Sequence, residues 1–204
     1  MKRNTEPTPV NPDIARWNRK YENAGTARVA PEGEPELVAL SDRLDNRGLA
    51  LDVAAGRGRN ALYLATLGYR VIACDGAVSA LVGCAGISRD TGLPVYCMAC
   101  DLESYRFGTG LFDLLVVVRY LNRPLLPVLP TWIRPGGWLF YKTFNTRFLE
   151  TNPRFNPAYT VEPGELNEIF SGLDIRASDT DRTTGTVSDN RFSFVLARKS
   201  SAVS

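Results

Sequence analysis

The 204-residue sequence predicts an α/β protein: a seven-stranded, mostly parallel sheet with helices on both faces and an antiparallel hairpin at its C-terminal end. Three observations predict it. Short apolar runs alternate with amphipathic segments, the pattern of strand–helix–strand units. The stretch Leu49 to Asp75 reads as strand, glycine turn, helix, strand, acid, which is the first half of a nucleotide-binding sheet. The last two runs, Leu173 to Asp179 and Arg191 to Arg198, are joined by the polar link Thr180 to Asn190 and read as a hairpin.

Each element has its local reason. Residues 1–12 are polar, with Pro7, Pro9 and Pro12, so disorder is expected there. Ile14 to Asn23 forms a short helix carrying Trp17 and Tyr21; Ala30 to Pro35 is a loop and Leu37 to Leu44 a helix. Leu49 to Val53 is the first strand. Gly56-Arg57-Gly58 turns the chain into a helix, Asn60 to Leu67, which Gly68 ends. Val71 to Cys74 is the second strand, with Asp75 at its tip. Ala77 to Arg89 is a helix, although Gly83 and Gly86 each cost about 1 kcal/mol against alanine. Pro94 to Cys100 is the third strand, followed by Asp101-Leu102-Glu103. Phe112 to Val118, interrupted only by Asp113, is the fourth, buried on both faces.

Arg119, Tyr120 and Asn122 follow at the carboxyl end of that strand, the edge on which open α/β sheets bind ligands. The bland reading makes Arg119 and Tyr120 ordinary loop residues. Pro124 starts a short helix that Pro127 and Pro130 limit. Arg134-Pro135-Gly136-Gly137 is a turn, and Trp138 to Phe144 the fifth strand. Asn145 to Val161 has no periodicity but carries Phe148, Phe155 and Tyr159 with Arg147 and Arg154. It reads as a substrate-side flap or as a surface excursion. Pro163 to Phe170 is a helix with proline at its first position.

Composition narrows the function. The chain is 44% hydrophobic and 23% charged with a net charge of +2, so one globular domain over residues 13–199, with a short tail at 200–204, is expected. The balanced charge argues against a nucleic-acid partner. No leader and no apolar run near ~18 residues is read, so the expectation is a cytoplasmic protein without membrane association. The sequence has no histidine, which removes histidine general bases, Ser-His and Cys-His pairs and most zinc sites. The cysteines are Cys74, Cys84, Cys97 and Cys100. Residues three apart in a strand point to opposite faces, so Cys97-x-x-Cys100 reads as buried structural cysteines rather than a metal or redox pair. No metal site is expected.

The glycine turn and Asp75 point to an adenosine-containing cofactor. Free N–H groups at the helix start face whatever sits on the turn, and a carboxylate at the tip of the next strand accepts from both ribose hydroxyls. Gly56-Arg57-Gly58-Arg59-Asn60-Ala61 fits G-x-G-x-x-G/A, a weak signal alone. Asp52 argues against a nicotinamide dinucleotide, because an anion beside a pyrophosphate is repelled; it suits an ammonium group. No lysine lies four residues after a tyrosine, as a one-domain dehydrogenase wants.

At Leu51-Asp52-Val53-Ala54-Ala55-Gly56-Arg57-Gly58, with Asp75 ending the second strand, the sequence resembles the class I S-adenosylmethionine-dependent methyltransferases, whose fold is Rossmann-like. The run Gly58 to Ala65, then Gly68-Tyr69, is similar to the tellurite-resistance and thiopurine-type small-molecule enzymes, as are Pro163-Gly164-Glu165-Leu166 and Arg191 to Lys199. Two positions depart. Ala54 stands where that family has the first glycine of Asp-x-Gly-x-Gly, and Asp181-Arg182 stands where it has a His-Arg pair. The resemblance implies S-adenosylmethionine as cofactor. Ala54, Gly56 and Gly58 form its backbone cradle, with Asn60 and Gly76 beside them. Asp52 sits near the methionine ammonium, Asp75 at the ribose, and Asp101 with Leu102 at adenine, where the bland reading of Asp101 is a solvated turn. Arg119 borders both cofactor and acceptor, and Tyr120 and Arg182 line the acceptor side, Arg182 otherwise being a solvated hairpin charge. The N-terminal helix becomes either a cap on the sheet or a lid.

The expected reaction moves a methyl from the sulfonium to a small-molecule acceptor, with sulfur, selenium or oxygen favoured over nitrogen, since no Asn-Pro-Pro-Tyr-like motif follows the fourth strand. Such transfer needs alignment and exclusion of water rather than a histidine. The alternatives are a non-catalytic cofactor- or partner-binding protein on the same fold, and an NAD-dependent oxidoreductase.

Overall fold

The computed structural model describes residues 11–25, 30–45, 47–180 and 189–201. The apolar runs become strands: β1 (Leu49–Val53), β2 (Arg70–Asp75), β3 (Val95–Ala99), β4 (Phe112–Val118), β5 (Ile133–Phe144), β6 (Asp174–Ser178) and β7 (Phe192–Arg198). They pair in one seven-stranded sheet in the order β3-β2-β1-β4-β5-β7-β6. The first five are parallel, and β7 runs antiparallel to both β5 and β6. This is the Rossmann-like arrangement expected. The order reverses between β1 and β4, which opens a crevice at their carboxyl ends, where ligands of such sheets bind.

The sheet is buried on both faces, and β4 shows why its run is unbroken. Leu114 and Val116 enter one core, Leu115 and Val117 the other. The first core is closed by α2 (Pro35–Ala39), α3 (Arg59–Thr66) and α4 (Val78–Thr91), through residues such as Leu37, Leu62 and Leu81. The second is closed by α5 (Leu129–Trp132) and α7 (Glu165–Ile169), through Leu129, Trp132 and Leu166. Asp113 is tolerated inside β4 because its carboxylate accepts the Leu49 N–H at 2.7 Å and pairs with the Arg134 guanidinium. Among the described residues no helix is long and apolar enough to cross a membrane.

Several boundaries differ from the sequence reading. Pro12, expected in a disordered segment, is the first residue of α1 (Pro12–Asn23), and the Asn11 side chain caps it by accepting the Asp13 N–H at 3.0 Å. The helix expected over Leu37 to Leu44 starts earlier and breaks at Leu40 into a 3-10 turn over Ser41–Arg43. Pro163 does not open α7. Gly164 caps it in the left-handed region (φ +87°), and the Glu165 carboxylate accepts the Glu162 N–H at 2.7 Å, so the helix begins two residues later. Arg134 to Gly137 lies within β5 rather than in a turn. Ile133 pairs with Phe112 and Trp138 with Leu114, and the surplus residues form a bulge. Gly137 is required there, because a Cβ would stand 3.0 Å from the Phe112 carbonyl oxygen.

The segment after β5 is more ordered than its sequence suggests. It holds α6 (Phe148–Thr151) and a 3-10 turn over Pro157–Tyr159. Its two ends are pinned together: the Val161 N–H donates to the Phe144 carbonyl and the Thr146 N–H to the Val161 carbonyl, each at 3.0 Å. Cys97 and Cys100 do fall on opposite faces of the sheet. Cys100 is joined to Cys74 by a disulfide, a pairing that the sequence reading missed because it considered only neighbours in sequence.

Candidate active site

The carboxyl ends of β1, β2 and β3 each carry a carboxylate. Between them the chain makes its glycine turn, with Ala54 (φ +55°), Gly56 (φ +54°) and Gly58 (φ +76°) all left-handed. At Gly58, the N-cap of α3, a Cβ would lie 2.1 Å from the Cys84 sulfur, so glycine is obligatory. Ala54 holds the same kind of conformation with a side chain, at a cost of roughly 1–2 kcal/mol.

Asp52 lies beneath this turn, 1% exposed, and accepts the Ala61 N–H of the first turn of α3 at 3.0 Å. Burial, reinforced by the charge of Asp75, pushes its carboxyl up to about 7. Asp75 bridges two loops, accepting the Gly56 N–H and the Ala77 N–H, both at 2.7 Å. Burial raises its pKa as well. A carboxylate has about four lone-pair directions, so capacity remains for a ligand's hydroxyls. Asp101 accepts the Glu103 N–H at 2.9 Å and is half-buried, while Leu102 behind it belongs to the second core. Asn60 is buried, and its carbonyl accepts the Glu34 N–H at 2.8 Å.

α1 crosses directly over these groups. The Asn11 amide donates to Asp101 at 3.4 Å. A Cβ at Gly76 would stand 2.7 Å from Ile14, and one at Gly56 2.7 Å from the Tyr21 hydroxyl. Asn18 ties the helix to α4, accepting the Ser79 N–H at 3.0 Å. Burial, then the charge of Asp75, raises the pKa of the Tyr21 hydroxyl. None of the α1 residues is fully buried, so the helix adds to neither core and lies on the ligand edge.

Arg119 and Tyr120 diverge at the end of β4. Arg119 is left-handed (φ +58°), and its N–H donates to the Lys142 carbonyl at 2.8 Å. Its guanidinium reaches Glu34 at 3.5 Å and lies over the Phe192 ring. Tyr120 turns toward the second core. Burial and the nearby carboxylates, Asp101 and Asp75 among them, push its hydroxyl up to about 12. Arg182 lies outside the described residues.

A buried charge cluster that the sequence reading missed stands behind Arg119. Lys142, on β5, places its ammonium 2.8 Å from Glu34 and in contact with Glu36; all three are at most 3% exposed. Glu34 also holds Arg59 at 2.8 Å. The available signal was Lys142 itself, a lone cation in the apolar run Trp138 to Phe144, which implies buried carboxylates somewhere in the fold.

Residues 50–137 match the family model described as "Methyltransferase domain". That stretch holds the glycine turn with Asp52, Asp75 and Asp101. The whole fold of the chain is that of the S-adenosylmethionine-dependent methyltransferases. The methyltransferase from Aquifex aeolicus superposes with a TM-score of 0.65 at 17% identity, over 89% of this chain and 97% of that one. A protein described by the conversion of a disulfide bond into a thioacetal group during echinomycin biosynthesis gives 0.72 at 20% identity, over 94% of each chain. TehB from Haemophilus influenzae gives 0.65 at 19% identity, over 81% of this chain and 62% of that one. No curated protein matches by sequence.

The site holds three carboxylates around a left-handed turn that leaves backbone N–H groups and little side chain. That donor set fits a cationic adenosine ligand and opposes a pyrophosphate. Gly56 and Gly76, where a side chain would collide with α1, keep the cleft floor flat.

Proposed function

We propose that this methyltransferase transfers a methyl group from S-adenosylmethionine to a nucleophilic sulfur, selenium or oxygen of a small molecule, with residues 13–199 acting as one unit. One observation carries the reading: Asp52, Asp75 and Asp101 stand at or just beyond the carboxyl ends of three adjacent strands on one side of the switch point, and Arg119 follows β4 on its other side.

When bound, the cofactor supplies a methyl already activated by its sulfonium, and the residues have to orient and seal. Asp75 takes the ribose hydroxyls on its free lone pairs, and Asp101 with Leu102 takes adenine. The N–H groups between Ala54 and Gly58, with Asn60 and Gly76 beside them, cradle the methionine. Asp52, beneath the turn, favours a positive charge above it. α1 acts as a lid: Tyr21 and Ile14 cover the cradle, and the 145–161 segment closes the acceptor side. Arg119 borders the acceptor side. The proton of the acceptor leaves to solvent, so the missing histidine is no obstacle where the acceptor ionises easily.

Calorimetric titration with S-adenosylhomocysteine, and NAD as control, tests the reading. Micromolar binding of the first and none of the second is expected; the reverse would make the protein an oxidoreductase. Ala54 at the first glycine position favours one competing reading, a cofactor-binding protein without turnover, which methyl transfer to any member of an acceptor panel would exclude.

A further inference from the structure

The acceptor side differs in charge and in texture from the cofactor side. Among the described residues, a charge cluster there joins three cations, Arg59, Arg119 and Lys142, to two carboxylates, Glu34 and Glu36, one positive charge in excess. The excess resides on Arg119. Glu34 holds Arg59 and Lys142 at 2.8 Å each, but Arg119 only at 3.5 Å, on the oxygen that Lys142 already uses. The Arg119 side chain is 48% exposed against 4% for Lys142. A guanidinium has five N–H donors in a planar fork, and one long contact leaves most of that fork for a ligand. Its left-handed backbone is the kind of local strain that surrounding structure holds in place at binding sites.

Beside this fork stands a wall of rings that belongs to neither core. Phe192 lies against Arg119 at 5.6 Å and against Lys142 at 4.8 Å. Phe144 follows at 4.9 Å, Phe148 at 4.4 Å from Phe144, and Phe155 at 5.1 Å from both. Tyr159 ends the row, its hydroxyl 3.5 Å from Asp13 of α1. The wall thus runs from the Arg119 guanidinium to α1. Phe144, Phe148 and Phe155 are half-buried, with ring surface still open to a ligand.

We propose that the acceptor is a planar aromatic anion, its ring laid on the half-buried Phe144, Phe148 and Phe155 rings and its charged group paired with the Arg119 fork. The identity of the acceptor rests on the methyltransferase reading; the subsite itself does not. A neutral ring would leave the Arg119 donors unmatched, and a small anion without a ring would leave the wall bare. A carboxylate matches the fork bidentately.

Three probes separate these contributions: benzoate, benzyl alcohol and acetate, titrated calorimetrically into the free protein and into the protein saturated with S-adenosylhomocysteine. Benzoate is expected to bind at least about tenfold more tightly than either other probe. Arg119→Gln should bring benzoate down to the level of benzyl alcohol, Arg119→Lys should keep part of the preference, and Phe148→Ala should weaken both ring probes alike. Thermal unfolding of each variant, measured first, shows whether its fold is intact. Equal binding of benzoate and benzyl alcohol, no benzoate binding in either form, or an unchanged benzoate affinity in folded Arg119→Gln overturns the inference and leaves the methyltransferase reading standing. Failure of S-adenosylhomocysteine to bind the wild-type protein overturns that reading instead, and the titration of the free protein still decides the subsite.

Discussion

Asp52 and Asp75 are both carboxylates at strand ends, yet their surroundings give them different work. Asp75 has lone pairs left over after holding two loops, so it can bind. Asp75→Ala should weaken S-adenosylhomocysteine by about 1.5–3 kcal/mol, the worth of hydrogen bonds to a charged group. Calorimetry checks this, and wild-type affinity in the variant would remove Asp75 from the ribose. Asp52 is enclosed, and its folded pKa near 7 lies above the unfolded value near 3.9. Below the lower value both states hold the proton and nothing is lost. Between the two the unfolded chain ionises first, so stability falls as pH rises; above about 7 the full cost, on the order of 4 kcal/mol, is present. Asp52→Asn keeps an acceptor for the Ala61 N–H and does not titrate. Its stability relative to wild type should therefore grow between pH 4 and 7 and then level off. Urea unfolding at pH 5 and pH 8 measures the difference, and parallel curves for the two proteins would contradict the burial of an ionisable Asp52.

At the scale of elements, α1 is the helix nearest the proposed chemistry. It adds no fully buried residue, and with its cap Asn11 it meets Gly56, Gly76, Asp101, Ser79 and Tyr159. A helix held this way is stabilised by what it covers. Replacing Ile14 and Tyr21 together by alanine should leave unfolding of the ligand-free protein nearly unchanged. The same change should speed release of S-adenosylhomocysteine about tenfold, equivalent to about 1.4 kcal/mol. Stopped-flow displacement reads the release rate. A large loss of ligand-free stability with no change in release would make α1 a structural cap. The disulfide between Cys74 and Cys100 acts next to the same place: it joins the residues immediately before Asp75 and Asp101, fixing one ligand carboxylate relative to the other.

Across the whole molecule, the two cores meet only through the sheet, and the proposed ligand lies on the one edge that touches every parallel strand of it. A cofactor there binds the folded chain and not the unfolded one. At a concentration one hundred times its Kd, S-adenosylhomocysteine should add about 2.7 kcal/mol. For a chain of this size that raises Tm by about 5–10 °C. A thermal melt with S-adenosylhomocysteine and with NAD makes the comparison, and a Tm insensitive to both would place the cofactor elsewhere.

The division between sequence and structure follows the range of the forces involved. Strand type, the parallel order of the first five strands and the position of the glycine turn were legible, because apolar period, turn chemistry and right-handed crossovers are local or nearly so. The carboxylates Asp52, Asp75 and Asp101 were legible for the same reason: each stands at a strand end that its own neighbours define. Only the tertiary structure decided what meets across the chain. Lys142 finds Glu34 and Glu36 more than one hundred residues away in sequence. Cys100 finds Cys74, Arg119 turns to Phe192, and α1 settles on the cradle instead of the core. No local pattern encodes these pairings, because each is set by the register and order of strands. The buried charges among them are then matched because a charge left unpaired inside a protein costs more than the fold can spare.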